Sequence, residues 1–197
     1  MTPPEPRLPW LTRTLTGPPG WLLLPAAALT GLLLLYGVSV PGGYFGPTLL
    51  GGFAFLVLAI VWLPRFLVGL IRADGRPGLR RHWIRWAAAP AMAAAVAGLV
   101  HAGVPWQVRF ALSEASMERL ARAVSTGAEP GSGGRWAGLL PVSSVTKIGG
   151  GVSFQLDGAG FLDTHGLAWI PAGSPPEAPE TSYEHLRGPW YEWREGW

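Results

Sequence analysis

Two histidines and one aspartate in the C-terminal half of this 197-residue chain are the residues best suited to chemistry. Asp163 and His165 are two residues apart on a predicted strand, so their side chains share one face, and His185 follows in a later segment. Imidazole and carboxylate groups bind transition metals and exchange protons, so the three predict a metal or acid–base site. The alternative is that they are ordinary polar residues near turns, because the spacing matches no zinc motif.

Other catalytic sites find no support in the sequence. The chain has no cysteine, which excludes thiolate nucleophiles, disulfides and cysteine-bound metals. The run Gly149–Gly151 lacks the Lys-Ser/Thr ending of a phosphate-binding loop, and Gly158–Gly160 does not open a helix, so the dinucleotide fingerprint fails too. No cofactor is expected.

The last segment is rich in aromatic residues and supplies a second kind of candidate site. Strand alternation places Trp190 on one face, and Tyr191 and Trp193 on the other. These three residues are either the core of a small domain or the anchors of a binding surface, since exposed Trp and Tyr are common at interfaces. The sequence leaves both interpretations open.

Composition separates the chain into two parts. Apolar residues make up 49% of the chain and charged residues only 14%. Residues 1–105 carry a net charge of +6 and residues 106–197 a net charge of −3. This asymmetry predicts a membrane part joined to an acidic soluble part, and the Arg excess is explained by membrane topology rather than by nucleic-acid binding.

Three apolar stretches, at about 21–40, 49–71 and 86–104, predict a three-helix transmembrane domain over 21–105. The twenty residues 21–40 carry no charge and match a bilayer core of about 30 Å. A cleaved signal peptide is the alternative for this stretch, but its apolar run is long and lacks a small-x-small cleavage site. Residues 1–20 contain six prolines and predict an irregular cytoplasmic tail.

A basic segment between the second and third stretches predicts the orientation. Its residues are Arg72, Arg76, Arg80, Arg81 and Arg85, against one acid, Asp74. Arginines next to spans stay inside, so a multi-pass plasma-membrane protein with a cytoplasmic N-terminus and an extracytoplasmic C-terminal domain is expected. Arg65 is interpreted as snorkelling to the inner face rather than as a binding charge, and His101 as an interfacial side chain rather than a proton relay.

The outer part, residues 106–197, predicts a small α+β domain with one helix and four or five short antiparallel strands. Ser113 is a candidate cap for a helix over 114–126. Its apolar stripe, which consists of Met117, Leu120, Ala121 and Val124, packs on a sheet or, alternatively, lies on the membrane. Residues 145–148 and 152–156 alternate around the glycine run and predict a hairpin. A further strand within 161–170, a long loop over 171–182 and a final strand over 190–193 complete the domain.

Four short segments carry a resemblance to known proteins. They are Gly149-Gly150-Gly151-Val152, Asp157-Gly158-Ala159-Gly160-Phe161-Leu162-Asp163, Tyr183-Glu184-His185-Leu186 and Gly188-Pro189-Trp190-Tyr191. In these segments the chain resembles uncharacterised three-span integral membrane proteins of actinobacteria. The resemblance implies a cell type and no activity or functional residue.

These observations favour a non-enzymatic binding or assembly module of the bacterial cell envelope. Its expected partners are the lipid bilayer and an envelope protein, with a homo-oligomer as a further option and no nucleic acid. The alternatives are a membrane-bound hydrolase or metal-dependent enzyme built on the Asp163, His165 and His185 group, and a small transporter subunit.

Overall fold

A computed structural model describes residues 22–71, 82–129, 132–176 and 178–196. The helices are α1 Leu23–Gly37, α2 Phe45–Ile71, α3 Trp83–His101 and α4 Val104–Ser125. The strands are β1 Ser132–Ala137, β2 Leu140–Ile148, β3 Gly151–Leu156, β4 Thr164–Trp169, β5 Thr181–Arg187 and β6 Trp190–Glu195. The predicted tail at 1–20 and the arginines at 72, 76, 80 and 81 lie outside the described residues.

The chain forms two compact units. Unit 1 falls within residues 1–34 and 50–98, and unit 2 within residues 35–49 and 99–197. Unit 1 contains most of the three apolar helices, whereas unit 2 contains the sheet and α4. The segment 35–49, which joins α1 to α2, therefore belongs to the unit that carries the sheet.

The predicted three-span architecture is wrong. Within the described residues, only Phe45–Val68 of α2 and Trp83–His101 of α3 are long and apolar enough to cross a membrane, by length and composition. These two helices suggest membrane association. Helix α1 has 15 residues, so at 1.5 Å per residue it spans about 22 Å, short of a bilayer core.

Helix α1 ends at Gly37, before the predicted limit at residue 40, because the residues that follow it pack in unit 2. The Ser39 hydroxyl donates to the carbonyl of Tyr36 at 2.7 Å, which satisfies a terminal carbonyl of the helix. Val40 is 3% exposed and belongs to the hydrophobic core of the sheet. Burial in that core removes Val40 from the apolar run that the sequence assigned to the first span.

Small residues allow close helix packing in unit 1. A Cβ added at Gly31 of α1 would lie 2.9 Å from Val96 Cγ2 of α3, and one added at Gly51 of α2 would lie 3.1 Å from Leu34 of α1. Both distances are shorter than ordinary contacts, so the absence of a Cβ at these glycines allows the helices to approach closely. This packing is typical of helices that associate through small residues.

Unit 2 is built on a six-stranded sheet with the order β1-β2-β3-β4-β6-β5, in which every neighbouring pair is antiparallel. The prediction of four or five strands is therefore wrong, although the hairpin around Gly149–Gly150 is confirmed by the pairing of β2 with β3. The sequence missed β1 and β5, which are the two edge strands. An edge strand with both faces partly exposed has weak apolar alternation, and β1 also begins with a glycine pair typical of loops.

Helix α4 begins ten residues earlier than predicted. Gly103 precedes it in the left-handed conformation, with φ 65°, and a proline follows in the first turn. Ser113 is fully buried inside the helix instead of capping it. Its hydroxyl donates to the carbonyl of Arg109 at 2.8 Å and accepts the backbone N–H of Leu139 at 3.0 Å. Ser113 thus connects the helix to the β1–β2 turn.

One face of the sheet packs against α4, and we call it the helix-covered face. Its strands contribute large buried side chains such as Trp190 and Phe154, and α4 adds Phe110 and the predicted stripe residues Met117, Ala121 and Val124. The members of this core on the sheet include Leu140, Val142, Val145, Val152, Phe154, Leu156, Leu167, Trp169 and Trp190. The core of unit 2 therefore lies between α4 and this face.

Arg109 fastens the segment 35–49 to the rest of unit 2. Its guanidinium donates to the Leu139 carbonyl from Nε at 3.0 Å and Nη2 at 2.8 Å, and to the Ser39 hydroxyl from Nη1 at 2.6 Å. The same group lies over the rings of Tyr36 and Tyr44, 5.5 Å and 5.4 Å from their centroids. Hydrogen bonds and cation–π contacts together fix this segment against α4.

Candidate functional site

The predicted metal or acid–base residues occupy two separate environments. Asp163 precedes β4, and its Oδ2 lies 3.0 Å from Nε of Arg194. His165, only 9% exposed, packs against the backbone of Gly42 and Gly160, where an added Cβ would overlap the imidazole. His185 lies on β5, and its Nε2 is 3.0 Å from the carbonyl of Gly188, so Nε2–H must be the donor.

Strand register keeps the two histidines apart. His165 pairs with Arg194 of β6, whereas His185 pairs with Tyr191 of the same strand. Arg194 and Tyr191 are three residues apart, and side chains alternate along a strand, so His165 and His185 point to opposite faces. Within the described ranges no group of three His, Asp or Glu side chains could hold a metal ion. The sheet therefore does not bring Asp163, His165 and His185 together.

Burial keeps the imidazole of His165 neutral at neutral pH. Desolvation lowers its pKa, the charge of Arg194 acts in the same direction, and Asp163 opposes both. Its Nδ1 lies 4.0 Å from Oε1 of Glu192, too far for a hydrogen bond, and has no hydrogen-bond partner among the described residues. A neutral imidazole packed against backbone fits a structural role.

The three candidate aromatic residues are divided between core and surface. Trp190 is 1% exposed and contacts Phe110 edge-on, with ring centroids 5.6 Å apart, and Phe154 at 6.0 Å. Trp190 therefore belongs to the core beneath α4. Tyr191 and Trp193 lie on the other face, as the predicted alternation requires, and pack there with Tyr183 in a second small cluster.

The face opposite α4 carries a solvent-open cavity of about 260 Å³. We call this surface the open face; its residues are Ser144, Thr146, Ile148, Ser153, Gln155, Thr181, Tyr183, Tyr191, Trp193 and Glu195. Strands β2 and β3 supply its hydroxyl and amide groups, whereas β5 and β6 supply its aromatic side chains. An apolar wall combined with several hydrogen-bonding groups is the usual composition of a binding site.

Trp193 forms the aromatic wall of this cavity. A Cβ at Gly166 would overlap both the Trp193 indole and the Phe154 carbonyl oxygen, so the ring lies directly over the glycine backbone. Trp193 is 7% exposed, and its Nε1–H has no hydrogen-bond partner within the described residues. On the opposite side, the Ser144 hydroxyl donates to Oε1 of Gln155 at 3.0 Å, which holds that amide in place. The cavity thus combines a fixed aromatic ring and a fixed amide with the hydroxyl groups of β2 and β3.

The sequence missed most of the open face for an identifiable reason. The alternation of Val152 and Phe154 with Ser153 and Gln155 was visible, but its polar half is also what an ordinary solvent-exposed face would show. Gly166, in the middle of a predicted strand, was the one local signal of a close approach. Only the pairing of β4 with β6 shows that the approaching group is Trp193.

The helix-covered face contains Glu192, a half-buried acid whose pKa is raised. Burial, aided by the facing carboxylate of Glu184, raises the pKa of Glu192 to about 6. Because the folded protein holds the proton more tightly than the unfolded chain, the free energy of unfolding should fall as pH rises from about 4.5 through about 6. Because the side chain of Glu192 is 27% exposed, we expect this fall in the free energy of unfolding to be about 1 kcal/mol.

Glu192→Gln tests this titration. Unfolding of the full chain in nanodiscs, measured at about pH 4 and about pH 7.5, should show the variant gaining about 1 kcal/mol over the wild type at the higher pH and little at the lower pH. The contribution of His165, whose lowered pKa makes stability rise with pH, cancels in this difference. Glu129→Gln, at an exposed acid outside the sheet, is the control. A gain of equal size at both pH values would contradict the assignment.

No protein-family model, curated protein or solved structure matches this chain. Its function must therefore be inferred from its own residues.

Proposed function

We propose that this chain is a membrane-associated, non-enzymatic binding or assembly module of the cell envelope, which holds a partner protein on the open face of its sheet. The observation that carries this proposal is the open cavity itself, with the Trp193 ring as wall and hydroxyl and amide groups from β2 and β3. A protein segment offers both apolar side chains and backbone acceptors and donors, which match this mixture. The membrane association rests on α2 and α3.

The orientation of unit 2 is a second part of the proposal. The segment between α2 and α3 contains Arg72, Arg76, Arg80 and Arg81 with one acid, and such segments are retained in the cytoplasm. Unit 2 contains the residues just before α2 and those after α3, so it would then lie outside the cytoplasm. The partner is accordingly sought in the envelope.

The absence of cysteine allows a direct test of this orientation. Single cysteines at Ser174, which is exposed in unit 2, and at Gly75, within the basic segment, are labelled in intact cells with a membrane-impermeant maleimide. We expect labelling at position 174 and none at position 75 until the cells are permeabilised. Labelling at position 75 alone would place unit 2 in the cytoplasm and redirect the partner search there.

Two adjacent residues of β2 provide a matched test of the open face. Thr146 lines the cavity, whereas Lys147 pairs with the core residue Val152 and points to the opposite side; both are exposed. A photo-crosslinking amino acid is placed at each position of the full chain in cells. A specific protein captured from position 146 but not from position 147 would support the proposal. Capture of none, or of the same proteins from both positions, would contradict it.

The enzymatic alternative has no comparable support. Asp163 is paired with Arg194, His165 is buried against glycine backbone, and His185 lies on the other face. No observation on the described residues favours a hydrolase or metal-dependent enzyme over a binding module.

A further inference from the structure

The loop between β3 and β4 presents two large apolar side chains to solvent. Phe161 is 65% exposed and the adjacent Leu162 is 67% exposed. The loop is held in place by its backbone, because the N–H of Gly160 donates to the carbonyl of Gly43 at 2.8 Å and Gly160 forms a parallel bridge with Tyr44. Two neighbouring apolar residues on an anchored loop indicate a surface that another phase or molecule covers.

The position of this loop identifies what covers it. The ring of Phe161 stacks on Phe45, with centroids 3.9 Å apart and an interplanar angle of 18°. Phe45 is the first residue of α2 and of Phe45–Val68, the stretch of α2 that is long and apolar enough to cross a membrane. It is itself 45% exposed. The exposed apolar surface of the loop is therefore continuous with the beginning of that stretch.

The surroundings of the stacked rings are apolar as well. A groove of about 340 Å³ beside them is lined mainly by Val38, Val40, Tyr44, Phe45, Leu49 and Phe161. Asp163, at the end of the same loop, is paired with Arg194 at 3.0 Å. The guanidinium of Arg109 lies 5.4 Å from the centroid of the Tyr44 ring and donates its hydrogen bonds to Ser39 and Leu139. Aromatic and aliphatic side chains at the start of a span occupy the interfacial layer of the bilayer, where burial of their apolar surface is favourable.

We propose that Phe161 and Leu162 insert into the interfacial layer of a lipid bilayer, together with Phe45, and anchor the β3–β4 loop there. The ligand is the lipid surface itself. This inference rests on the membrane association in the proposed function, but it does not depend on the open face. Its consequence is that the β3–β4 end of the sheet is fixed at the membrane while the cavity remains available to a partner.

Environment-sensitive labels test the insertion. The full chain with a single cysteine at Leu162 carries a nitrobenzoxadiazole dye and is reconstituted into nanodiscs of phosphatidylcholine and phosphatidylglycerol. We expect blue-shifted emission, strong quenching by lipids with a spin label high on the acyl chain, and several-fold protection from aqueous iodide. A label at Ser174, in the exposed loop before β5, is the matched control and should show the reverse pattern.

A third label distinguishes a failure of the loop to insert from a failure of the membrane association itself. Leu56 is exposed within Phe45–Val68 of α2, so a dye there reports whether that helix lies in the bilayer. If the dye at position 56 is quenched by the lipids and that at position 162 is quenched by iodide as strongly as at 174, the loop does not insert, although membrane association stands. If both are open to iodide, the membrane association and the inference fall together. Protection of position 162 in cells but not in nanodiscs would assign the surface to a protein and overturn the inference.

Discussion

Replacement of Trp190 by alanine should lower the free energy of unfolding of unit 2 by about 3–5 kcal/mol, the largest effect expected of any single substitution here. The side chain is 1% exposed and lies between Phe110 of α4 and Phe154 of β3. Its removal leaves a cavity where the helix meets the sheet and breaks two aromatic contacts. Chemical unfolding of the full chain in nanodiscs, followed by tryptophan fluorescence or circular dichroism, measures the loss.

Trp136 provides the matched control for this substitution. It is 69% exposed on β1, so Trp136→Ala should change the stability by no more than about 0.5 kcal/mol. Equal losses for the two variants would contradict the placement of Trp190 in the core. The result also bears on function, since any loss of partner binding in Trp190→Ala would follow from unfolding and not from a lost contact.

Substitution of Gly166 by alanine should be the second most damaging change. Its Cβ would overlap the Phe154 carbonyl oxygen and the Trp193 indole. The carbonyl is part of the β3–β4 ladder and cannot move without loss of pairing, so the expected loss of stability is about 3 kcal/mol. The displaced indole should also change the wall of the cavity, and a shift in tryptophan emission would report that movement.

Gly149→Ala is the control for Gly166→Ala, because it makes the same chemical change where nothing lies within 4 Å of the new Cβ. We expect it to be close to neutral. If Gly166→Ala keeps wild-type stability and emission, Trp193 does not lie over position 166, and the cavity must have another shape. Partner crosslinking from Thr146 would then have to be interpreted without Trp193 as its wall.

These two substitutions separate the residues that build unit 2 from those that offer a binding surface. Trp190 fills the core beneath α4, and Gly166 leaves room for the Trp193 indole on the open face. Thr146, Ser153 and Gln155 line the cavity and are not part of the core. Substitutions at these three positions should leave stability largely intact. A loss of crosslinking without a loss of stability would therefore identify direct contacts with the partner.

Local pattern was enough to predict several elements of the fold. The run of apolar residues in Phe45–Val68 and Trp83–His101 produces long helices because no charged group interrupts most of their length. Met117, Ala121 and Val124 recur at helical spacing and are buried as predicted. The hairpin at 149–150 forms because glycine tolerates the positive φ of 83° at position 150. Each of these depends on neighbours within a few residues.

Other features depended on contacts that no local pattern contains. Val40 leaves the apolar run of α1 because the core of unit 2, built from residues more than sixty positions later, buries it. The edge strands β1 and β5 form because neighbouring strands supply their hydrogen bonds, and not because of their own alternation. The three-span prediction was wrong because Val40 is buried in the core of unit 2. The predicted strand count was wrong because the edge strands depend on pairing with their neighbours.

The sequence by itself determined which residue types are available: no cysteine, long apolar runs in the first half of the chain, and an aromatic-rich C-terminal segment. Tertiary structure alone decided which side chains contact each other. The spatial order β4-β6-β5 and its register place His165 and His185 on opposite faces, Trp190 in the core, and Trp193 over Gly166 beside the cavity. The physical reason is that side chains alternate along strands, so a site between strands depends on a register that is fixed by packing far along the chain.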